Sequence, residues 1–148
     1  MTKRITISTL DAMKASGDKF VMITAYDATF ARLASEAGAE TILVGDSLGM
    51  VLQGHETTIP VSLNAMVYHT ECVARAKPRS LIVADLPFMS FSNSDDALHA
   101  STQLMQAGAQ MVKLEGGTWL SDSINRLVER GVPVCAHLGL TPQSVNVF

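Results

Sequence analysis

Residues 41–50, TILVGDSLGM, hold the pattern that decides the fold. Thr41–Val44 is an apolar run of the length of a buried strand, and Asp46 and Ser47 follow it directly. An unpaired carboxylate is costly to bury at the end of such a strand. Either Asp46 bonds to the backbone of a turn, as Asp and Ser often do, or it has a partner such as a metal ion.

The composition is that of an ordinary globular protein. The 148 residues suffice for one well-buried domain, and 47% of them are hydrophobic and 17% charged. The net charge of −3 comes without a basic patch, which argues against binding to nucleic acid or an anionic membrane. No apolar run reaches the roughly 18–20 residues of a membrane span, and the N-terminus lacks the apolar core of a signal peptide. Cys72 and Cys135 are too few for a disulfide framework or a zinc motif, so we predict a cytoplasmic protein.

Four further apolar runs resemble the first and predict a parallel sheet. They are rich in Val, Ile and Leu without strict alternation, which is typical of strands that helices cover. The five predicted strands are Phe20–Tyr26, Thr41–Val44, Ser80–Ala84, Met111–Leu114 and Pro133–Ala136.

Helical spacing of apolar residues fills the four intervals between these strands. The second helix follows Pro60, a favourable first-turn residue, and the third opens with the Asp95–Asp96 pair. A short helix over Leu10–Ala15, capped by Ser8 or Thr9, precedes the first strand. The signals that end the four helices are Gly38, Pro78, Gly108 and Gly131.

Strand–helix alternation of this kind leaves two architectures open, a doubly wound sheet and a (β/α)₈ barrel. No GxGxxG motif follows the first strand, which weakens the dinucleotide-binding version of the doubly wound sheet. A barrel needs eight units and about 250 residues, so five strands cannot close one. The final residues, HLGLTPQSVNVF, carry no terminating signal. We therefore predict a (β/α)₈ barrel, with residues 1–148 as the N-terminal part of one barrel domain that covers roughly the first five strands.

Polar side chains mark the carboxyl end of every predicted strand, where parallel α/β proteins place their sites. They are Tyr26 and Asp27, Asp46 and Ser47, Asp85, Lys113 and Glu115, and His137. Taken singly they have plainer interpretations: a turn or helix cap for the aspartates, an ion pair with Glu115 for Lys113, and a hydrogen-bonded core position for His137.

Strand parity indicates a metal site among these carboxylates. Residues two apart share a face, which places Asp46 with Val44 and Asp85 with Val83. On neighbouring strands about 4.8 Å apart the two aspartates would repel unless a cation lay between them. Mg²⁺ is the hard divalent ion that best matches oxygen ligands, and Glu115 would add a third donor directly or through water.

Six motifs in this chain resemble the ketopantoate hydroxymethyltransferase family. They are ITAYD (23–27), LVGDSLGMVLQGH (43–55), YHT (68–70), ADLPFMS (84–90), MVKLEGG (111–117) and HLGLTPQSVN (137–146). The resemblance implies a (β/α)₈ barrel of the phosphoenolpyruvate/pyruvate type that assembles as a homodecamer. It also implies transfer of a hydroxymethyl group from 5,10-methylenetetrahydrofolate to 3-methyl-2-oxobutanoate, giving ketopantoate for pantothenate and coenzyme A synthesis.

The resemblance assigns a metal and catalytic set. The family's metal ligands fall on Asp46, Asp85 and Glu115, and Mg²⁺ there would act as a Lewis acid on a developing enolate. Lys113 and His137 are the implied catalytic residues within the chain. The family's general base, a glutamate on a later strand, has no counterpart before Phe148, which predicts that the 148-residue chain alone is inactive.

The implied keto-acid contacts fall on the same strand ends. They are Asp46, Ser47, Asp85 and Lys113, together with Tyr26 in the pocket wall. The connection 48–59 is long for a β/α loop and is a candidate lid. Two alternatives stay open: a folate-independent, Mg²⁺-dependent aldol lyase of the same barrel group, and a non-catalytic fragment that binds keto acid or assists assembly.

Overall fold

A computed structural model describes residues 3–147, which fold around one parallel five-stranded sheet. The strands are β1 Met22–Thr24, β2 Thr41–Val44, β3 Leu81–Asp85, β4 Met111–Glu115 and β5 Val134–His137. The helices are α1 Ile7–Ser16, α2 Ala28–Glu36, α3 Leu48–Val51, α4 Leu63–Arg75, α5 Ser94–Ala107 and α6 Ser121–Glu129. Two 3₁₀ segments cover Thr118–Leu120 and Pro142–Val147.

The strand order decides between the two predicted architectures. The sheet runs β1-β2-β3-β4-β5, and each strand pairs in parallel with the next one in the chain. A doubly wound sheet reverses its strand order at a switch point, whereas a barrel does not. The long helices also pack in chain order, α2 against α4, α4 against α5 and α5 against α6. The four β/α units and the fifth strand therefore wind in one direction, as in a barrel.

Two layers of side chains pack on opposite faces of the sheet. Alternate strand residues such as Ile42, Ile82 and Val112 are fully buried in the cluster that joins the sheet to the helices. Their neighbours Leu81 and Val83 lie in a smaller cluster with Ile5, from the segment before α1. Burying one such side chain contributes roughly 1.5–3 kcal/mol. Because the helix-facing cluster contains many more buried side chains than the smaller one, it contributes most of the stability of the fold.

The five predicted strands are all present, but β1 is shorter than expected. Its residues are exposed, in contrast to the fully buried β3. The cause is its position, because β1 pairs only with β2 in the part of the chain that the structure describes. The apolar residues Phe20 and Val21 before it are also exposed.

The N-terminal helix begins earlier than predicted. The caps expected at Ser8 or Thr9 are wrong, because Thr6 is the N-cap and accepts from the Thr9 backbone N–H at 3.3 Å. Thr9 returns the bond, since its hydroxyl oxygen accepts from Thr6 N at 3.2 Å. This reciprocal capping box satisfies two backbone donors that would otherwise lack partners.

The caps of α5 and α4 are side chains that the sequence prediction did not name. The Asp95–Asp96 pair lies in the first turn of α5, as predicted, and the Asn93 side-chain oxygen caps the helix by accepting from both of their backbone N–H groups at 3.0 Å. Ser62 caps α4, so Pro60 lies in the turn before that helix rather than in its first turn. In both helices a side chain with a free oxygen lies one residue before the helix and takes the capping role.

Gly108 ends α5 where close packing requires a glycine. Its φ is +115°, and a Cβ at this position would collide with the Ala74 side chain of α4.

Both cysteines are free. Among residues 3–147 no helix combines the length and the apolar character of a membrane span.

Candidate active site

Asp85 and Lys113 form a buried ion pair at the carboxyl ends of β3 and β4. The two residues are partners in the strand register, and their side chains are 6% and 18% exposed. Lys113 Nζ donates to Asp85 Oδ1 at 2.8 Å, and the Asp46 backbone N–H donates to Asp85 Oδ2 at 3.2 Å. Both carboxylate oxygens therefore have donors, and Lys113 pairs with Asp85 rather than with Glu115.

Burial governs the protonation of this pair. It raises the pKa of Asp85 to about 6, against the opposing effect of the Lys113 charge and hydrogen bond. For Lys113, burial alone would lower the pKa, but the Asp85 charge and hydrogen bond outweigh it and the pKa is raised. At neutral pH the structure therefore holds an ionised aspartate against a protonated lysine.

Asp46 reaches the pair through a turn rather than along the strand. Strand parity predicted that it shares the face of Val44, and this is wrong, because β2 ends at Val44 and Val44 packs toward the helices. Gly45 allows the chain to turn, since a Cβ there would lie 2.8 Å from Ser47 Oγ and 3.5 Å from Asp85 Oδ2. Parity holds only within a strand, and the turn brings Asp46 beside Asp85 by a different route.

The Asp46 carboxylate is buried and is held by a distant residue. Its Oδ2 accepts from Gln143 Nε2 at 2.8 Å. Burial raises the pKa of Asp46, and the Gln143 hydrogen bond opposes that rise. The Thr58 hydroxyl also opposes it, although that hydroxyl has no well-aligned hydrogen-bond partner within residues 3–147.

Glu115 and His137 end the neighbouring strands β4 and β5 as register partners. Glu115 Oε2 lies 3.2 Å from His137 Nδ1, and Glu115 Oε1 accepts from the Gln143 backbone N–H at 2.6 Å. Both oxygens of this buried carboxylate thus already have neighbours. The structure places Glu115 in the same cluster as Asp46, and its role as a metal donor stays a prediction.

Tyr26, Ser47 and Asp27 complete the placement of the predicted residues. The Tyr26 and Ser47 hydroxyls lie 2.9 Å apart, and His69 Nδ1 lies 2.8 Å from the Tyr26 carbonyl oxygen. Asp27 has the plainer role, because it caps α2 and its Oδ1 accepts from Phe30 N at 2.9 Å. The strand-end residues except Asp27 therefore belong to one connected region.

Gln143 is the residue of this region that sequence reasoning did not select. It follows β5 in the Pro142–Val147 segment and is 6% exposed. Its side-chain partner Asp46 is 97 residues away in the chain. It lies in the quoted motif HLGLTPQSVN, but no strand-end or spacing rule singles out a glutamine there.

The donor set suits a hard cation. Asp46 and Asp85 are adjacent buried carboxylates, and one lysine accompanies three carboxylates in the cluster. Within residues 3–147 no three His, Cys, Asp or Glu side chains are arranged as a complete metal centre. Mg²⁺ commonly binds one or two carboxylates and completes its shell with water and substrate. Asp46 and Asp85 fit that mode.

Two pockets border the cluster. One of about 80 Å³ is lined by aromatic and polar side chains that include Phe91, Trp119, Glu115 and Gln143. The other, of about 250 Å³, has both apolar and polar lining residues and lies between the 48–59 connection and the segment after β5. The predicted lid is partly helical, because α3 occupies its first four residues. A cavity of about 800 Å³ near Arg79 contains none of the site residues.

The fold and site define a class of protein: a parallel β/α protein with acidic and lysine side chains gathered at the carboxyl ends of its strands, where (β/α)₈ barrel enzymes hold their active sites. Residues 4–148 match the family model of ketopantoate hydroxymethyltransferase. The chain belongs to the ketopantoate hydroxymethyltransferase family, as its motifs predicted.

Curated relatives agree with this membership. The 3-methyl-2-oxobutanoate hydroxymethyltransferase of Burkholderia multivorans is 60% identical over 97% of this chain and 53% of its own length. That of Marinobacter nauticus is 60% identical over 97% of this chain and 54% of its own length. The chain therefore spans about half the length of the curated relatives that it matches.

Solved structures confirm the fold class. A 2,3-dimethylmalate lyase of the PEP mutase/isocitrate lyase superfamily superposes with a TM-score of 0.65 at 18% identity, over 87% of this chain and 51% of that chain. A phosphonopyruvate hydrolase, solved in complex with oxalate and Mg²⁺, gives a TM-score of 0.62 at 22% identity, over 74% of this chain and 38% of that chain. These likenesses carry the barrel fold alone.

Proposed function

We propose that residues 1–148 supply roughly the first five strands of a single barrel that transfers a hydroxymethyl group from 5,10-methylenetetrahydrofolate to 3-methyl-2-oxobutanoate. The observation that carries the proposal is the Asp85–Lys113 ion pair beside Asp46, at the strand ends of a chain in this family. A keto acid is an anion with a polarisable carbonyl, and this site combines a fixed positive charge with two adjacent carboxylates that can hold a cation.

Asp46 and Asp85 would hold Mg²⁺, which when bound supplies a Lewis acid for the keto acid. Lys113 is fixed by Asp85 and protonated, so it provides a positive charge for the substrate carboxylate. Ser47 and Tyr26, joined through their hydroxyls, would contribute polar contacts on the β1–β2 side. Each of these residues stands on a strand end or in the turn that follows it, so the substrate would lie across β1 to β4.

The proton next to the keto group needs a general base, and we place that base beyond Phe148. Asp27 is engaged as a helix cap, and His137 lies against Glu115. We propose that His137 shapes the pocket beside Glu115, since its Nδ1 lies 3.2 Å from Glu115 Oε2 and has no well-aligned hydrogen-bond partner among the described residues. A positioned base is worth about 10²–10⁴-fold in rate, so activity depends on the group that supplies it.

Exposed apolar side chains support assembly into a homo-oligomer. Phe30 and Leu33 on α2 and Tyr68 on α4 are more than half exposed, although they lie on helices that cover the sheet. Surfaces of this kind are typical of subunit interfaces. A homodecamer, as the family resemblance implies, is our proposal for the complete protein. The cytoplasmic location predicted from the sequence belongs to the same proposal.

A chimera tests the function directly. Residues 1–147 would be joined to the remaining C-terminal part of the Burkholderia multivorans relative and assayed with 3-methyl-2-oxobutanoate, methylenetetrahydrofolate and Mg²⁺. We expect ketopantoate formation that requires both the folate and the metal. The matched control is the same chimera with Asp85→Asn, which should fold and lose activity.

Three results would argue against this proposal. Turnover without folate would favour the aldol-lyase alternative. A folded chimera with no turnover would favour the non-catalytic alternative. Turnover by the 148-residue chain alone, at the rate of the chimera, would place the base within this chain.

A further inference from the structure

Gln143 connects the ends of three strands with one side chain and one backbone group. Its Nε2 donates to Asp46 Oδ2 at 2.8 Å and to the Leu86 carbonyl oxygen at 2.9 Å, and its backbone N–H donates to Glu115 Oε1 at 2.6 Å. These acceptors follow or end β2, β3 and β4 in turn. We propose that Gln143 is a positioning residue of the keto-acid site, whose amide holds the Asp46 carboxylate beside Asp85. The inference rests on the proposed function of that site.

The geometry fixes the Gln143 amide in one orientation. The Leu86 carbonyl oxygen has no proton to give, so the amide nitrogen must face it with one of its two hydrogens, and the other hydrogen reaches Asp46 Oδ2. Since Leu86 immediately follows β3, this contact ties the amide to the core of the sheet. The bond from the backbone N–H to Glu115 fixes residue 143 itself. The amide is therefore a rigid donor with no free rotation to lose when a ligand binds.

Asp46 needs such a donor more than Asp85 does. Asp85 extends from a strand and both its oxygens have donors, Lys113 and the Asp46 backbone. Asp46 lies in the turn after Gly45, and Gln143 supplies the well-aligned side-chain hydrogen bond to its carboxylate. Partners of this kind orient ligating carboxylates, and their loss typically costs 10–100-fold in metal affinity or activity.

Gln143→Met isolates this contact, because methionine keeps the length of the side chain and removes both N–H donors while the backbone bond to Glu115 remains. The matched control is Gln110→Met at the opposite end of β3, where the Gln110 side-chain oxygen accepts from Ile82 N at 3.2 Å. Each variant loses a glutamine side-chain hydrogen bond to the backbone of β3 or of the residue that follows it: Gln110 to Ile82, and Gln143 to Leu86. Only one of the two lies at the proposed site.

Calorimetry on the purified chain would use MgCl₂ alone and MgCl₂ with 3-methyl-2-oxobutanoate. We expect Gln143→Met to weaken Mg²⁺-dependent keto-acid binding at least tenfold and Gln110→Met to change it less than twofold. A purely structural role would instead affect both variants through stability alone. Binding by Gln143→Met within twofold of the unsubstituted chain would overturn the inference.

An unfolding cycle separates failure of this inference from failure of the proposed function. Gln143→Met, Asp46→Ala and the double variant would be unfolded in urea without metal. A hydrogen bond to an ionised group should appear as a coupling of about tenfold or more in the unfolding equilibrium constant. If the unsubstituted chain binds neither Mg²⁺ nor keto acid, the proposed function fails for this chain, and the unfolding cycle alone decides the inference. Coupling between Gln143 and Asp46 below twofold overturns the inference, and tenfold coupling supports it.

Discussion

Asp85 gives the sharpest quantitative prediction, because its burial links stability to pH. Its pKa is about 6 in the folded chain against an ordinary value of 3.8. A folded pKa above the unfolded value means that the folded state holds the proton more tightly. The stabilising contribution is therefore complete below pH 3.8 and is lost as the pH rises through about 6.

The size of the effect follows from the shift. A difference of 6 − 3.8 = 2.2 pKa units corresponds to about 3 kcal/mol in the free energy of unfolding, of which about 2 kcal/mol falls between pH 4 and pH 7. The Asp85 side chain is 6% exposed, so solvent screening removes little of it. Asp85→Asn deletes the titrating group and should flatten this part of the pH profile.

Urea unfolding of the metal-free chain between pH 4 and pH 7 measures the difference directly. We expect Asp85→Asn to gain about 2 kcal/mol relative to the unsubstituted chain as the pH rises over that range. The measured quantity is the difference in the free energy of unfolding between the two chains, and the test is how this difference changes with pH. A cost from disturbing Lys113 that is the same at every pH therefore cancels. Asp11→Asn, on an exposed position of α1, is the control and should follow the unsubstituted chain. A difference that stays constant from pH 4 to pH 7 would refute the reasoning.

Three further outcomes follow from the structure. Asp46→Asn should weaken Mg²⁺ binding at least tenfold in a calorimetric titration and leave the circular dichroism spectrum unchanged, since it removes a candidate ligand charge from a turn; an unchanged titration would count against the metal assignment. Ile82→Ala should lower the free energy of unfolding by about 2–5 kcal/mol, because the side chain is fully buried in the helix-facing layer; a loss below 1 kcal/mol would contradict the described core. Gly108→Ala should lower the melting temperature more than Gly17→Ala, because both glycines have positive φ but only the first would place a Cβ against Ala74; equal losses would show that the contact is not tight.

The sequence by itself determined the β/α alternation and most of the site. Apolar runs, helix stop signals and strand ends are local patterns, and they located all five strands and the clustered residues Asp85, Lys113, Glu115 and His137. These four side chains extend from regular strands whose register pairs Asp85 with Lys113 and Glu115 with His137. In a parallel sheet, carboxyl ends meet at one edge, so position along the strand was enough to predict that they meet.

The tertiary structure decided what lies outside regular strands. Asp46 joins the site through the Gly45 turn, not through strand parity, and its amide donor comes from Gln143, 97 residues later. The N-cap at Thr6 likewise depended on where α1 begins. Turns and long-range hydrogen bonds have no sequence period, because their partners are set by the packing of the whole sheet. A carboxylate at the end of an apolar strand indicates that a partner is needed, and only the folded chain shows that Gln143 donates a hydrogen bond to it.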